Sequence, residues 1–184
     1  TVDGVTHELP DPFFVIATQN PSAYAGTFPL PEAQIDRFGV SLSLGFPSPD
    51  DELRMLDTFR GAPRLDNETA ASAGDIRDIQ RRVKEIHVEE NVRRYIVEIV
   101  QRSRHQRELR AGLSPRASLH LLYASQGRAF LRGRDFVLPE DVMHCAPIVL
   151  PHRMALSPEA KFEGKTSRAV LEEMMSLIRV PAGV

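Results

Sequence analysis

FFVIATQNPSAYAGTFPLPEAQIDRFG, Phe13 to Gly39, is the stretch whose reading decides the fold. Phe13 to Ala17 is short and wholly apolar, with aromatic and β-branched members, bounded by Pro12 and by polar residues. Such a run suits a strand covered on both faces, as in a parallel sheet. Thr18, Gln19 and Asn20 then emerge at its carboxyl end, where open α/β sheets place their ligands. Pro31 suits the first position of a helix, because its φ is fixed and its missing N–H would lack a partner anyway. That helix carries Asp36 and Arg37 at its far end.

Working outward, residues 40–46 (VSLSLGF) alternate apolar and small or polar side chains, the period of a second strand. Two parallel strands and one crossover helix do not make a stable sheet, so an apolar edge needing a cover is expected here. Ser48-Pro49-Asp50-Asp51 is a helix start, with a capping hydroxyl, a first-turn proline and two carboxylates against the positive helix end. The helix is expected to reach about Arg60, and residues 61–75 read as a connector.

From Asp75 the pattern is helical. Ile76, Ile79, Val83 and Ile86 make one apolar stripe. Val92, Tyr95, Ile96, Ile99 and Val100 make a second, on a helix expected to extend to about Arg110. Ser114 caps a third helix with Pro115 at its first position and Leu119, Leu122 and Phe130 turned inward. Gly133 ends it, Phe136 to Leu138 pair with a neighbouring segment, and Pro139 opens a helix to about Pro147. A last helix, roughly Ser167 to Ile178, turns Val170, Leu171, Met174, Leu177 and Ile178 to one side. The fold class is therefore mainly α with a partial α/β segment.

The 184 residues are 42% hydrophobic, enough for a real core, and carry a net charge of −2. That balance speaks against a general nucleic-acid surface. Lys and Arg against Asp and Glu number 4 and 12 in residues 1–75, 10 and 6 in 76–110, and 9 and 7 in 111–184. The sign change near Asp75 marks a boundary. The basic run from Arg102 to Arg110 reads as a solvated helix face. A single cysteine, Cys145, excludes an internal disulfide and fits a reducing, cytoplasmic setting. No apolar run approaches a membrane span. The six histidines show no recognised metal spacing.

Three residues carry candidate chemistry. Asn20 is an uncharged amide able to hold a water by one end and a phosphate oxygen by the other; the ordinary alternative is a turn cap before Pro21. Arg37 has a forked, permanent charge suited to a transferring phosphoryl group; the alternative is a surface arginine answering the negative helix end. Arg116 lies in the first turn of its helix, an unfavourable place for a cation unless an anion stands in front of it. An ordinary solvated arginine is its alternative.

Two motifs in register, Ala17-Thr18-Gln19-Asn20-Pro21 and Leu30-Pro31-Glu32-Ala33-Gln34-Ile35-Asp36-Arg37-Phe38, resemble AAA+ ATPases of the MoxR type. Val92 to Val97, Ser114 to Ala117, Gly133 to Val142 and His152-Arg153 resemble the lid of the same family. The resemblance implies the C-terminal fragment of an AAA+ αβα nucleotide-binding core followed by an α-helical lid bundle. It divides the chain into residues 1–48 (end of the core), 49–75 (helix and connector) and 76–184 (lid). It implies roles for Asn20 as sensor 1, Arg37 as an arginine finger acting on a neighbouring subunit, and Arg116 as sensor 2. ATP and Mg²⁺ are the implied cofactors, with the Mg²⁺ ligands outside this chain. The implied partners are further copies of the chain in a hexameric ring and a protein with a von Willebrand factor A domain, not nucleic acid or membrane. The phosphate cradle Gly-x-x-x-x-Gly-Lys-[Ser/Thr] is not in the sequence; Gly164-Lys165-Thr166 matches only its last letters and reads as a helix C-cap. The isolated chain is therefore expected to be inactive. A non-catalytic helical interaction module is the competing expectation, and an open reading frame beginning near Thr1 would favour it.

Overall fold

The computed structural model describes residues 3–19, 30–58 and 70–181. Among them the elements are α1 (Glu32–Ile35), α2 (Pro49–Thr58), α3 (Ala73–Glu85), α4 (Glu90–Ser103), α5 (Pro115–Leu131), α6 (Pro139–Val149), α7 (Pro158–Phe162) and α8 (Ser167–Ser176), with a 3₁₀ turn at Pro151–Arg153 between α6 and α7. Helices α4, α5, α6 and α8 enclose one core. Val92, Tyr95, Ile96, Ile99 and Val100 of α4 are all buried, as their spacing predicts. They meet Leu121, Val142, Val149, Leu171 and Met174 from the other three helices.

The inward face of α5 differs from the expected one. Ala117, Leu121, Ser125 and Ala129 point into the core, whereas Leu119 is half exposed. Small residues at 117, 125 and 129 allow close helix approach, and the core takes that seam rather than the larger side chains beside it. Similarly, no residue within α3 is buried, and Ile76 and Ile79 remain exposed; only Ile86 at its C-cap enters the core.

Helix α4 stops at Ser103, short of the expected Arg110, for a local reason. The buried Ser103 hydroxyl donates to the Val100 carbonyl (2.6 Å) and accepts the Leu113 N–H (2.9 Å), so the chain must fold back on itself. Gly112 makes the return possible, since a Cβ there would lie 2.5 Å from the Arg104 Cα.

The expected strands at residues 13–17 and 40–46 do not form. Two isolated bridges join described residues to one another, His87 with Phe136 and Leu109 with Leu156. Phe13, Phe14, Val15, Ile16, Leu42, Leu44 and Phe46 are all exposed. The physical reason is that a strand exists only against a partner ladder, and none is supplied by the described residues. The expected apolar edge is thus present, without the sheet. The pairing expected of Phe136 to Leu138 is the first of the two bridges, with His87 N–H donating to Asp135 (2.8 Å) and Val137 N–H to His87 (2.9 Å).

One buried charge organises α6. Asp141 is almost wholly buried and takes two hydrogen bonds from Arg134 (2.7 and 2.8 Å) and one from the Leu138 N–H (2.9 Å). Burial pushes its carboxyl up, but the Arg134 and Leu138 hydrogen bonds and the Arg134 and Arg128 charges outweigh that and hold it below the usual carboxylate range. Asp141→Asn leaves those cations facing a neutral amide and should cost about 2–4 kcal/mol, toward the low end because the arginines are partly solvated. Denaturant unfolding of the variant measures it; a loss within about 0.5 kcal/mol would mean the pair is dispensable.

Candidate functional site

Arg116 and the segment that carries Arg37 meet where α1 lies on the helical bundle. Helix α1 begins after Pro31, whose fixed φ prepares the first turn, and ends at Asp36 as its C-cap. Helix α5 begins at Pro115, so Arg116 lies in its first turn. The 3₁₀ turn after α6 delivers His152 and Arg153.

Asp36 is the meeting point. Its carboxylate faces Arg116 (3.1 Å) and Arg153 (3.3 Å) and accepts the Ser114 hydroxyl at 3.1 Å on each oxygen. Ser114 therefore does not cap α5 with its side chain, contrary to expectation, because its hydroxyl is committed to Asp36. The anion expected in front of the α5 N-terminus is, here, Asp36.

Arg153 is the buried member, its side chain 1% exposed. Its Nε donates to the Val149 carbonyl (3.0 Å), Nη1 to Asp36, and Nη2 to the carbonyls of Phe38 and Gly39 (3.3 Å for the latter). Nη2 also meets Nδ1 of His120. His152 Nε2 lies 3.1 Å from the same Phe38 carbonyl and donates to it. The contact between Ser41 N–H and the Ile148 carbonyl (3.1 Å) carries the seam onward.

The two arginines picked out from the sequence differ. Arg116 is half exposed and paired with Asp36. Arg37 is exposed; its N–H donates to the Gln34 carbonyl (3.1 Å), and its guanidinium has no hydrogen-bond or ion-pair partner among the described residues. Its neighbours Asp36 and Phe38 are both held by Arg153. Asn20 lies outside the described residues. No group of three or more His, Cys, Asp or Glu able to hold a metal occurs among the described residues, and no helix there is long and apolar enough to cross a membrane. Sequence reasoning missed Arg153 and His120 as site residues. His152-Arg153 was visible as a motif, but nothing local shows that it reaches residues more than 110 positions earlier.

Residues 101–174 match the AAA lid domain family, and residues 1–40 match the ATPase family associated with various cellular activities (AAA). The chain is 46% identical to the Bacillus subtilis protein YeaC over 98% of its own length and 57% of that protein's. It is 33% identical to the chaperone MoxR1 of Mycobacterium tuberculosis over 98% of its own length and 50% of the relative's. A crystal structure from Cytophaga hutchinsonii, provisionally assigned as an ATPase, superposes with a TM-score of 0.87 at 31% identity, covering 99% of this chain and 58% of that one. The chain thus spans about half the length of the curated relatives it matches.

Both histidines of the seam are neutral by geometry. His120 accepts from the Arg153 guanidinium through Nδ1, so a proton there would face a cation. Protonated His152 would present a buried N–H at Nδ1, an atom that has no partner. Burial first, then the Arg153 charge, lowers His120, with Arg116 adding and Asp36 opposing. Burial likewise lowers His152, against the Phe38 carbonyl and Asp36. With folded values depressed, the stability these groups contribute is present above the usual imidazole value of about 6.5 and lost as pH falls from there through the folded values. Thermal unfolding should therefore show a steeper fall between about pH 7.5 and pH 5.5 for the wild type than for the His120→Gln/His152→Gln double variant. Equal slopes would remove the imidazoles from the account.

Proposed function

The chain belongs to the MoxR family of AAA+ ATPases, and from that premise we propose that it supplies the lid and the end of the ATPase core to a chaperone-like machine that couples ATP hydrolysis to remodelling of partner proteins. The same reading assigns residues 1–48 to the core, 49–75 to the connector and 76–184 to the lid. The observation that carries it is the convergence at Asp36: the residue that pairs with the lid arginine, Arg116, is followed directly by Arg37, an exposed arginine whose guanidinium has no partner among the described residues.

Both cations fit a polyphosphate. Arg116 is half exposed and already selects an anion, so a phosphate oxygen can take the place of the Asp36 carboxylate. The Arg37 guanidinium has no partner among the described residues to give up, as a group serving a neighbouring subunit's nucleotide requires. Its charge would stabilise negative charge spreading over a transferring phosphoryl group, and Asn20 would align the attacking water. ATP supplies the phosphoryl group and Mg²⁺ neutralises its oxygens, by ligands not assigned to this chain. The ring arrangement, proposed as a hexamer, follows from Arg37 acting in trans. A cytoplasmic setting, a von Willebrand factor A domain partner and the inactivity of the isolated chain belong to the same proposal.

Two measurements on the complete ATPase test it. Mixing Arg37→Ala subunits into wild type should lower activity more steeply than the mutant fraction, because each variant subunit silences its neighbour. A strictly proportional fall would sink the trans role. Arg116→Ala should weaken nucleotide affinity about tenfold or more, the worth of a charge-assisted hydrogen bond. Unchanged affinity and turnover would return Arg116 to an ordinary surface arginine.

A further inference from the structure

We propose that Arg153 is the positioning residue for Arg37: its buried guanidinium binds the residues immediately before and after Arg37 and so fixes the direction in which Arg37 leaves the subunit. The inference rests on the reading of Arg37 as a trans-acting group. Helix α1 has only four residues and no buried side chain, so it does not hold its own C-terminal end in place. Arg110 pairs with Glu32 at the start of α1, but both side chains are about 60% exposed, and such pairs contribute little.

Position is therefore set at the other end. Arg153 reaches the Asp36 carboxylate with Nη1 and the Phe38 and Gly39 carbonyls with Nη2, bracketing residue 37 on both sides. A planar guanidinium with donors in a fixed fork transmits its own orientation to three anchoring points, at residues 36, 38 and 39. Its orientation is fixed in turn by the Val149 carbonyl and by His120. Lysine carries the charge without the fork and holds at most part of this arrangement.

Asp36 adds a second consequence. The carboxylate that anchors Arg153 also binds Arg116, so one anion joins the lid arginine to the segment that presents Arg37.

The test uses the complete ATPase with Arg37→Ala, Arg153→Lys, Asp36→Asn and the double variants with Arg37→Ala. Arg153→Lys should lower kcat about 10- to 100-fold, the cost of a misplaced catalytic group, with KM for ATP within about twofold. The double Arg37→Ala/Arg153→Lys should be no slower than Arg37→Ala alone, because a misplaced group and a missing one fail in the same way. Asp36→Asn, which keeps the side-chain volume, should show the same non-additivity and carries the test if Arg153→Lys does not fold. If Arg37→Ala lowers kcat while folded Arg153→Lys leaves it unchanged, or if the two losses multiply, positioning by Arg153 is overturned and the role of Arg37 stands. A raised KM with unchanged kcat also overturns it. If Arg37→Ala itself leaves kcat unchanged, the trans reading falls first and this inference with it.

Discussion

A guanidinium taken out of water must find protein acceptors for its donors, and at Arg153 that requirement shapes the site. Desolvation of a charge costs several kcal/mol unless it is paired and hydrogen-bonded. Within the helical bundle, the Val149 carbonyl and the His120 ring meet only part of the demand. The Asp36 carboxylate and the Phe38 and Gly39 carbonyls meet the rest, from a segment more than 110 residues earlier. Segment 36–41 lies on the bundle because a buried charge in the bundle lacks acceptors without it.

This explains the unequal character of the chain. The bundle is satisfied by its own side chains: four helices share an apolar core, and Asp141 with Arg134 resolves its one deeply buried carboxylate internally. The preceding residues are tied down by polar contacts near residues 36–41, while Phe14, Ile16, Leu44 and Phe46 stay in solvent. Apolar burial drives folding in the first region, and hydrogen bonding to a buried cation orders the second. The two respond to different conditions, since only the second depends on buried imidazoles that must stay neutral.

What the sequence made legible follows the same division. The α4 stripe is a one-dimensional pattern with a three-dimensional cause, and all five of its residues are buried as spaced. The stops at Gly133 and Gly164 were likewise readable, because both adopt positive φ at helix ends. The seam of α5 was not, since choosing Leu121 over Leu119 depends on which neighbour approaches, and periodicity allows either. The strands of residues 13–17 and 40–46 failed for a related reason: their composition expresses a preference that only a pairing partner can realise. Arg116 stood out as a cation in a first turn and Arg37 through the motif that carries it, but Arg153 did not, because a lone arginine in a turn looks the same whether solvated or buried.

The shared carboxylate has a thermodynamic implication for how the lid and Arg37 communicate. Arg116 and Arg153 divide one anion, and the Ser114 hydroxyl supports it. A ligand phosphate that takes Arg116 removes one of two cations from Asp36 and leaves Arg153 as its only strong partner. Such a ligand shifts the segment only by its differential affinity for the two pairings. The half-exposed Arg116 is the cheaper partner to release, because water can take over its donors, whereas Arg153 has no such substitute. Exchange at Asp36 therefore runs through the lid arginine, while the buried arginine keeps the backbone beside Arg37 in register throughout.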